Sequence, residues 1–208
     1  HNSGTSPAVY GSSAGTYAGY FADSIYVAGS CVGCRLVYLA RNDGAEPLEE
    51  GDLVVASGVT SLAGSESPVL LVRRAGATGD ALAAQQAIAG VVLARGELQT
   101  SKPKETAEGR AFPGERTQDV QQTGGPAAPG DYLFLVVQGV ARVKVDASAG
   151  AITAGQRLAG ASIAGHSRAL RTVTLEGVVM AEGVATLGIA LEPLEAGTGL
   201  ISVLVNLQ

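Results

Sequence analysis

Tryptophan is absent from the 208 residues, and aromatics number only nine, six Tyr and three Phe. Ring platforms of the kind that stack sugars or unpaired bases are therefore scarce. Lysine is almost as rare: Lys102, Lys104 and Lys144 stand beside eleven Arg in a chain of net charge −5. Without a basic stripe to follow a phosphate backbone, nucleic acid is not an expected partner. No apolar run approaches the roughly 20 residues of a membrane-spanning helix, so no membrane span is expected. The longest run, residues 132–137, has the length of a buried strand. Histidine is limited to His1 and His166, and cysteine to Cys31 and Cys34. A structural zinc site wants four ligands, and neither a metal nor another cofactor is expected.

What the chain does have is Val, Leu, Ala and 29 Gly, a composition that suits short strands separated by tight turns. The fold class read from it is all-β, a sandwich or barrel-like domain over residues 35–208. One unit recurs, in which a short polar stretch ends in Gly followed by Asp or Gln and then an apolar strand. Its clearest copies are Leu48-Glu49-Glu50-Gly51-Asp52-Leu53, Ala128-Pro129-Gly130-Asp131-Tyr132 and Thr153-Ala154-Gly155-Gln156-Arg157. Gly there supplies a positive φ and the next side chain can bond back to the turn, so each copy predicts a turn that launches a strand. Further strands are predicted at 69–73, 88–94, 140–145, 173–180, 184–191 and 200–205. Residues 132–137, apolar on both faces, should form a central strand. Residues 80–89, rich in Ala and Gln, predict a short helix capped by Asp80. Residues 99–130 are a long polar excursion, the kind of segment that is either functional or a mobile loop.

Five of the nine aromatics, Tyr10, Tyr17, Tyr20, Phe21 and Tyr26, fall within the first 26 residues, spaced by Gly, Ser, Ala and Thr. Tyr17, Phe21, Ile25 and Val27 share one parity, and Tyr20 and Tyr26 the other, which is the period of a strand. A segment too short to bury such rings must find a surface elsewhere. Residues 1–34 are therefore read as an assembly arm whose contacts are Tyr10, Tyr17, Tyr20, Phe21, Ile25 and Tyr26, added to a sheet edge or wrapped on a neighbouring copy. The plainer alternative is a first strand packed on its own domain. The start at His1, without Met or an apolar leader, is read as a fragment of a longer product or a chain trimmed after export.

Cys31-Val32-Gly33-Cys34 is read as a local disulfide, which suits an extracellular setting. Reduced structural thiols are the next alternative. A redox pair wants its first Cys at a helix N-terminus, whereas the flanking residues 25–30 and 35–40 have strand character. His166 lacks any nucleophile motif around it and is placed in an exposed loop. Carboxylate pairs such as Glu49 and Glu50 belong to turns, and the Gly-rich residues 11–19 lack the Lys and the strand-to-helix context of a phosphate loop. No catalytic residue is assigned.

Two stretches carry a resemblance. Val9-Tyr10-Gly11-Ser12-Ser13, Tyr17-Ala18-Gly19-Tyr20-Phe21 and Ile25-Tyr26-Val27-Ala28-Gly29 resemble the repeats of bacterial surface and phage tail-fibre-like proteins. Leu187 to Val205, with Ala190-Leu191-Glu192-Pro193-Leu194 and Gly197-Thr198-Gly199 inside it, is similar to the ending of C-terminal β-domains in the same proteins, and loosely to tail-spike chaperone and capsid-decorating domains. The resemblance implies a β-domain that assembles, most often as a trimer. No cleavage nucleophile of the chaperone type maps onto this sequence.

Together these readings predict a non-enzymatic structural subunit of an extracellular or cell-surface fibre or filament, with a virion appendage as the alternative location. Its partner is itself, as a homopolymer or homotrimer. A carbohydrate-binding fibre tip and an autoprocessing chaperone-like domain are the alternative functions. The excursion at 99–130 would carry any sugar site, yet Phe112 is its only aromatic residue.

Overall fold

The computed structural model describes residues 35–63, 66–76, 87–100 and 118–207. The arm expected at residues 1–34 lies outside them. The described residues contain no helix and twelve strands: β1 Leu36–Asn42, β2 Leu53–Ser61, β3 Pro68–Arg74, β4 Ile88–Thr100, β5 Gln118–Thr123, β6 Tyr132–Asp146, β7 Arg157–Gly160, β8 Ser167–Ala169, β9 Thr172–Leu175, β10 Val178–Ala181, β11 Thr186–Ala190 and β12 Thr198–Asn206. The protein is all-β.

The main sheet closes twice. In the first ring β6 pairs with β1, β1 with β3, β3 with β2, β2 with β4, and β4 returns to β6. In the second, β6 pairs with β8, β8 with β7, β7 with β11, β11 with β12, and β12 returns to β6. Each ring has five strands, and each has one parallel pair, between its first and third strands. The 15-residue β6 belongs to both: Tyr132 to Gln138 pairs with β1, and Gln138 to Asp146 pairs with β12. Closure satisfies both edges of every strand in a ring and leaves few free edges to aggregate.

The two barrels match residue by residue. Leu48 exchanges backbone hydrogen bonds with Ala127, and Ile152 does the same with Leu194. After each of these four residues comes a glycine turn, anticipated from sequence after Leu48, Ala127 and Ile152, with Gly51, Gly130, Gly155 and Gly197 at φ between 72° and 88°. The side chains of Asp52, Asp131 and Gln156 accept from the backbone N–H three residues earlier, at 2.8, 3.0 and 2.9 Å. A β-bulge also recurs. Leu53 and Val54 face Val91 and Gly90, and Arg157 and Leu158 face Ile189 and Gly188, with one extra residue following in each pairing. Gly90 and Gly188 have φ of 153° and 154°, a conformation open to glycine alone.

Alternation along the strands fixes the packing. Val54, Val72, Val92, Leu133 and Leu135 fill the first barrel, while Val143, Val145, Leu158, Leu187, Val203 and Val205 fill the second. Leu53, Val55, Val91 and Val136 point out of the first barrel and join the second barrel's cluster. Each fully buried aliphatic side chain contributes about 1.5–3 kcal/mol relative to exposure, so the seam binds the barrels as one body. Leu53 N–H also donates to Gly165 O, and Lys144 N–H to Gly51 O, across that seam.

Three expectations are corrected. Residues 132–137 and 140–145 are one strand, because β6 exchanges partners at Gln138 without leaving the sheet. Residues 173–180 are a hairpin, since Glu176 and Gly177 at φ of 50° and 80° make the twisted turn that reverses β9 into β10. In the predicted helix, 80–86 lie outside the described residues, and Ile88 and Ala89 open β4, where pairing with β2 overrides Ala propensity. Within the polar excursion, residues 118–123 form β5 on the end of β4 and Ala127 bridges to Leu48; residues 101–117 lie outside the described residues.

Candidate assembly surface

The sequence-predicted contacts Tyr10, Tyr17, Tyr20, Phe21, Ile25 and Tyr26, and the proposed disulfide Cys31–Cys34, lie outside the described residues. His166 precedes β8 and is half-buried rather than exposed, with Nδ1 within 2.9 Å of Ala164 O.

Several charged side chains are drawn into ties within the fold. Asp52 is 2% exposed at its side chain. It accepts from Lys144 Nζ at 2.8 Å, from Glu49 N–H at 2.8 Å and from Arg74 Nη2 at 3.3 Å. Arg74 also donates to Pro47 O and pairs with Glu46 at 2.6 Å. Burial works against the charge of Lys144, but its hydrogen bonds to Asp52 and Glu49 outweigh burial and hold its pKa above the ordinary value. The same Lys144 contact holds Glu49 below the ordinary carboxylate value. Lys144 comes from the half of β6 that builds the second barrel, so this cluster ties the two barrels together. A second tie, Arg142 with Glu192 at 3.1 Å, is joined by Ser202, whose backbone N–H and hydroxyl both donate to Glu192 at 2.9 Å.

The apolar surface is the unusual feature. In β9 and β10, Leu175 faces Val178 and Val173 faces Met180. Directly opposed residues share a face of the ribbon, so these four large side chains form one uninterrupted apolar face. Each is 49–64% exposed. The opposite face carries Thr172, Thr174, Val179 and Ala181. A two-stranded ribbon without a covering layer is marginal in water, and this one pairs with no other strand among the described residues. Its base is clamped. Arg168 donates to Glu182 at 2.5 and 2.9 Å, and the Arg171 N–H donates to Glu182 Oε1 at 2.8 Å.

Those bonds, the Arg168 side chain first, hold Glu182 below the ordinary carboxylate range. A depressed carboxylate stabilises the fold above its unfolded pKa, and that contribution is lost as pH falls through the folded pKa. Acidification is therefore expected to loosen the hairpin base as Glu182 takes up its proton. NMR should show the Arg171 amide shifting in step with Glu182 protonation; an Arg171 amide indifferent to that protonation would contradict this.

No family model and no curated protein matches the chain. Among solved structures it is similar to the head fibre gp8.5 N base of bacteriophage phi29, with 11% identity, 83% of this chain and 95% of that chain covered, and a TM-score of 0.37. A likeness that distant decides nothing about function. What this chain does is read from its own surfaces.

A second apolar surface lies on the main sheet. Ile189 on β11 faces Leu204 on β12, and Leu204 faces Val140 on β6. Two residues before Val140, Gln138 faces Leu36 at the start of β1. The row Ile189, Leu204, Val140 and Leu36 thus crosses four adjacent strands, and all four residues are 36–52% exposed. Neither surface was legible as a surface in the sequence: periodicity marks which residues alternate, but only the pairing register shows which of them line up across strands.

Proposed function

We propose that this chain is a non-enzymatic structural subunit that self-assembles into an extracellular fibre or filament, or into a virion appendage of the same design. The observation that carries the reading is the β9–β10 hairpin, a projecting ribbon with Val173, Leu175, Val178 and Met180 bare on one face. An apolar patch of that kind on a soluble surface marks an interaction site. The non-enzymatic part draws support from the groups Asp52, Lys144, Glu49, Glu192 and Arg142, which are engaged in structural ties. Residues 1–34, with their five aromatics, would supply a second contact between copies. If each contact joins two different surfaces, assembly runs on as a filament unless rotation closes it into a ring.

Electron microscopy of purified native material, with mass measured in solution on the same sample, tests this reading. Regular multimers are expected. Replacing Val173 and Val178 by Lys should weaken assembly at least tenfold and leave the melting temperature of the barrels unchanged. A wild-type chain that stays monomeric at all accessible concentrations would defeat the proposal.

A further inference from the structure

We infer that the row Ile189, Leu204, Val140 and Leu36 is the seat for residues 17–26 of a second copy of this chain. The inference rests on the assembly reading and names the surface that receives the second contact, the one made by residues 1–34. Three observations point to this occupant. The row is built from directly paired residues on β11, β12 and β6 and continues to β1, so it is a rigid face of the main sheet. Its four residues are uncharged, and it is bordered at the β11 end by Arg157, which faces Ile189 from β7, and on the next rung by Ser202 and Arg142, the latter tied to Glu192. Residues 1–34 join the described fold at Arg35, beside Leu36, the end of this same row.

Chemistry and reach both fit. Between Tyr17, Tyr20, Phe21 and Tyr26 stand the small residues Ala18, Gly19, Ala22, Asp23 and Ser24, which let the rings lie close to a sheet face, together with Ile25, which adds to the apolar contact. Aromatic rings on exposed aliphatic side chains remove apolar surface from both partners, and the Tyr hydroxyls keep polar company at the rim. The row spans three strand spacings, roughly 14 Å, whereas the extended chain from Arg35 reaches about 30 Å to Tyr26 and about 60 Å to Tyr17. A segment that long can leave its own barrel and cross the row of its neighbour.

The test uses the full chain. A photo-crosslinking phenylalanine analogue replaces Tyr20 in an isotopically labelled copy, which is mixed with unlabelled wild type. The expected products join position 20 of one copy to residues 138–142 or 200–206 of the other. In parallel, Val140→Lys with Leu204→Lys should weaken assembly at least tenfold in sedimentation, with an unchanged melting curve. Cross-links confined to one copy, cross-links to another surface, or assembly unaffected by the double substitution would each overturn the inference while leaving the assembly reading intact. Wild type that never assembles would defeat that reading itself, and is told apart by the unmixed control.

Discussion

Gly188→Ala is expected to remove about 4 kcal/mol of stability or to prevent folding altogether, at the upper end of what single substitutions do. A Cβ at this position would stand 2.1 Å from Leu204 O and 3.0 Å from both Leu204 C and Val205 Cα. All three are backbone atoms of the paired strand β12, so no side-chain rotation relieves the clash. The φ of 154° is also one that an L side chain rarely adopts. The chain must either separate β11 from β12 or undo the bulge, and both break the second barrel. Its counterpart Gly90 meets Val136 O at 2.8 Å, so Gly90→Ala should be damaging but milder. Urea unfolding of the two variants checks the order; a Gly188→Ala protein as stable as wild type would mean that the bulge is not required.

Asp52→Ala carries the second large effect, a loss of about 3–5 kcal/mol, the range for stripping one partner from a buried ion pair. The substitution leaves Lys144 Nζ with Glu49 alone, withdraws an acceptor from Arg74 and orphans the Glu49 N–H. In the second barrel the same turn position is Gln156, a neutral side chain that accepts only from Thr153. Gln156→Ala should therefore cost about 1 kcal/mol, the worth of one ordinary hydrogen bond. Chemical denaturation of both variants separates the claims. Equal losses would show that Asp52 acts as a turn residue and not as the tie between barrels.

That contrast also shows how far the sequence could be read. Three of the four strand-launching turns were visible as Gly followed by Asp or Gln, because the turn demands a positive φ and a side chain able to bond back. The fourth, Glu195-Ala196-Gly197-Thr198, keeps the glycine but has Thr in the last place, and it was not recognised as a copy. Alternation along residues 140–145 implies Ala141, Val143 and Val145 inward with Arg142 and Lys144 facing water; the structure buries the first three and exposes Arg142, but Lys144 is half-buried in the seam, held there by Asp52. The duplication was not legible as such, because the two copies overlap on β6 and differ in the insertions between their strands. Val173 to Met180 kept its apolar character through Glu176 and Gly177, and Glu is not a residue that announces a positive φ; the hairpin was therefore read as a single strand. Val140 and Leu204 have the composition of core residues, and only their register across β6 and β12 assigns them to the surface.

The shared strand has a mechanical consequence. Two beads joined by a linker bend at the linker, whereas here one unbroken backbone segment, Tyr132–Asp146, is wall to both barrels. A pull applied across the pair loads β6 along its own length, against rows of cross-strand hydrogen bonds to β4 and β1 at one end and to β12 at the other. Those rows must shear together, so the joint is as stiff as the barrels it connects. The design also extends economically in chain length, since a barrel that borrows its first strand from the one before needs only four of its own.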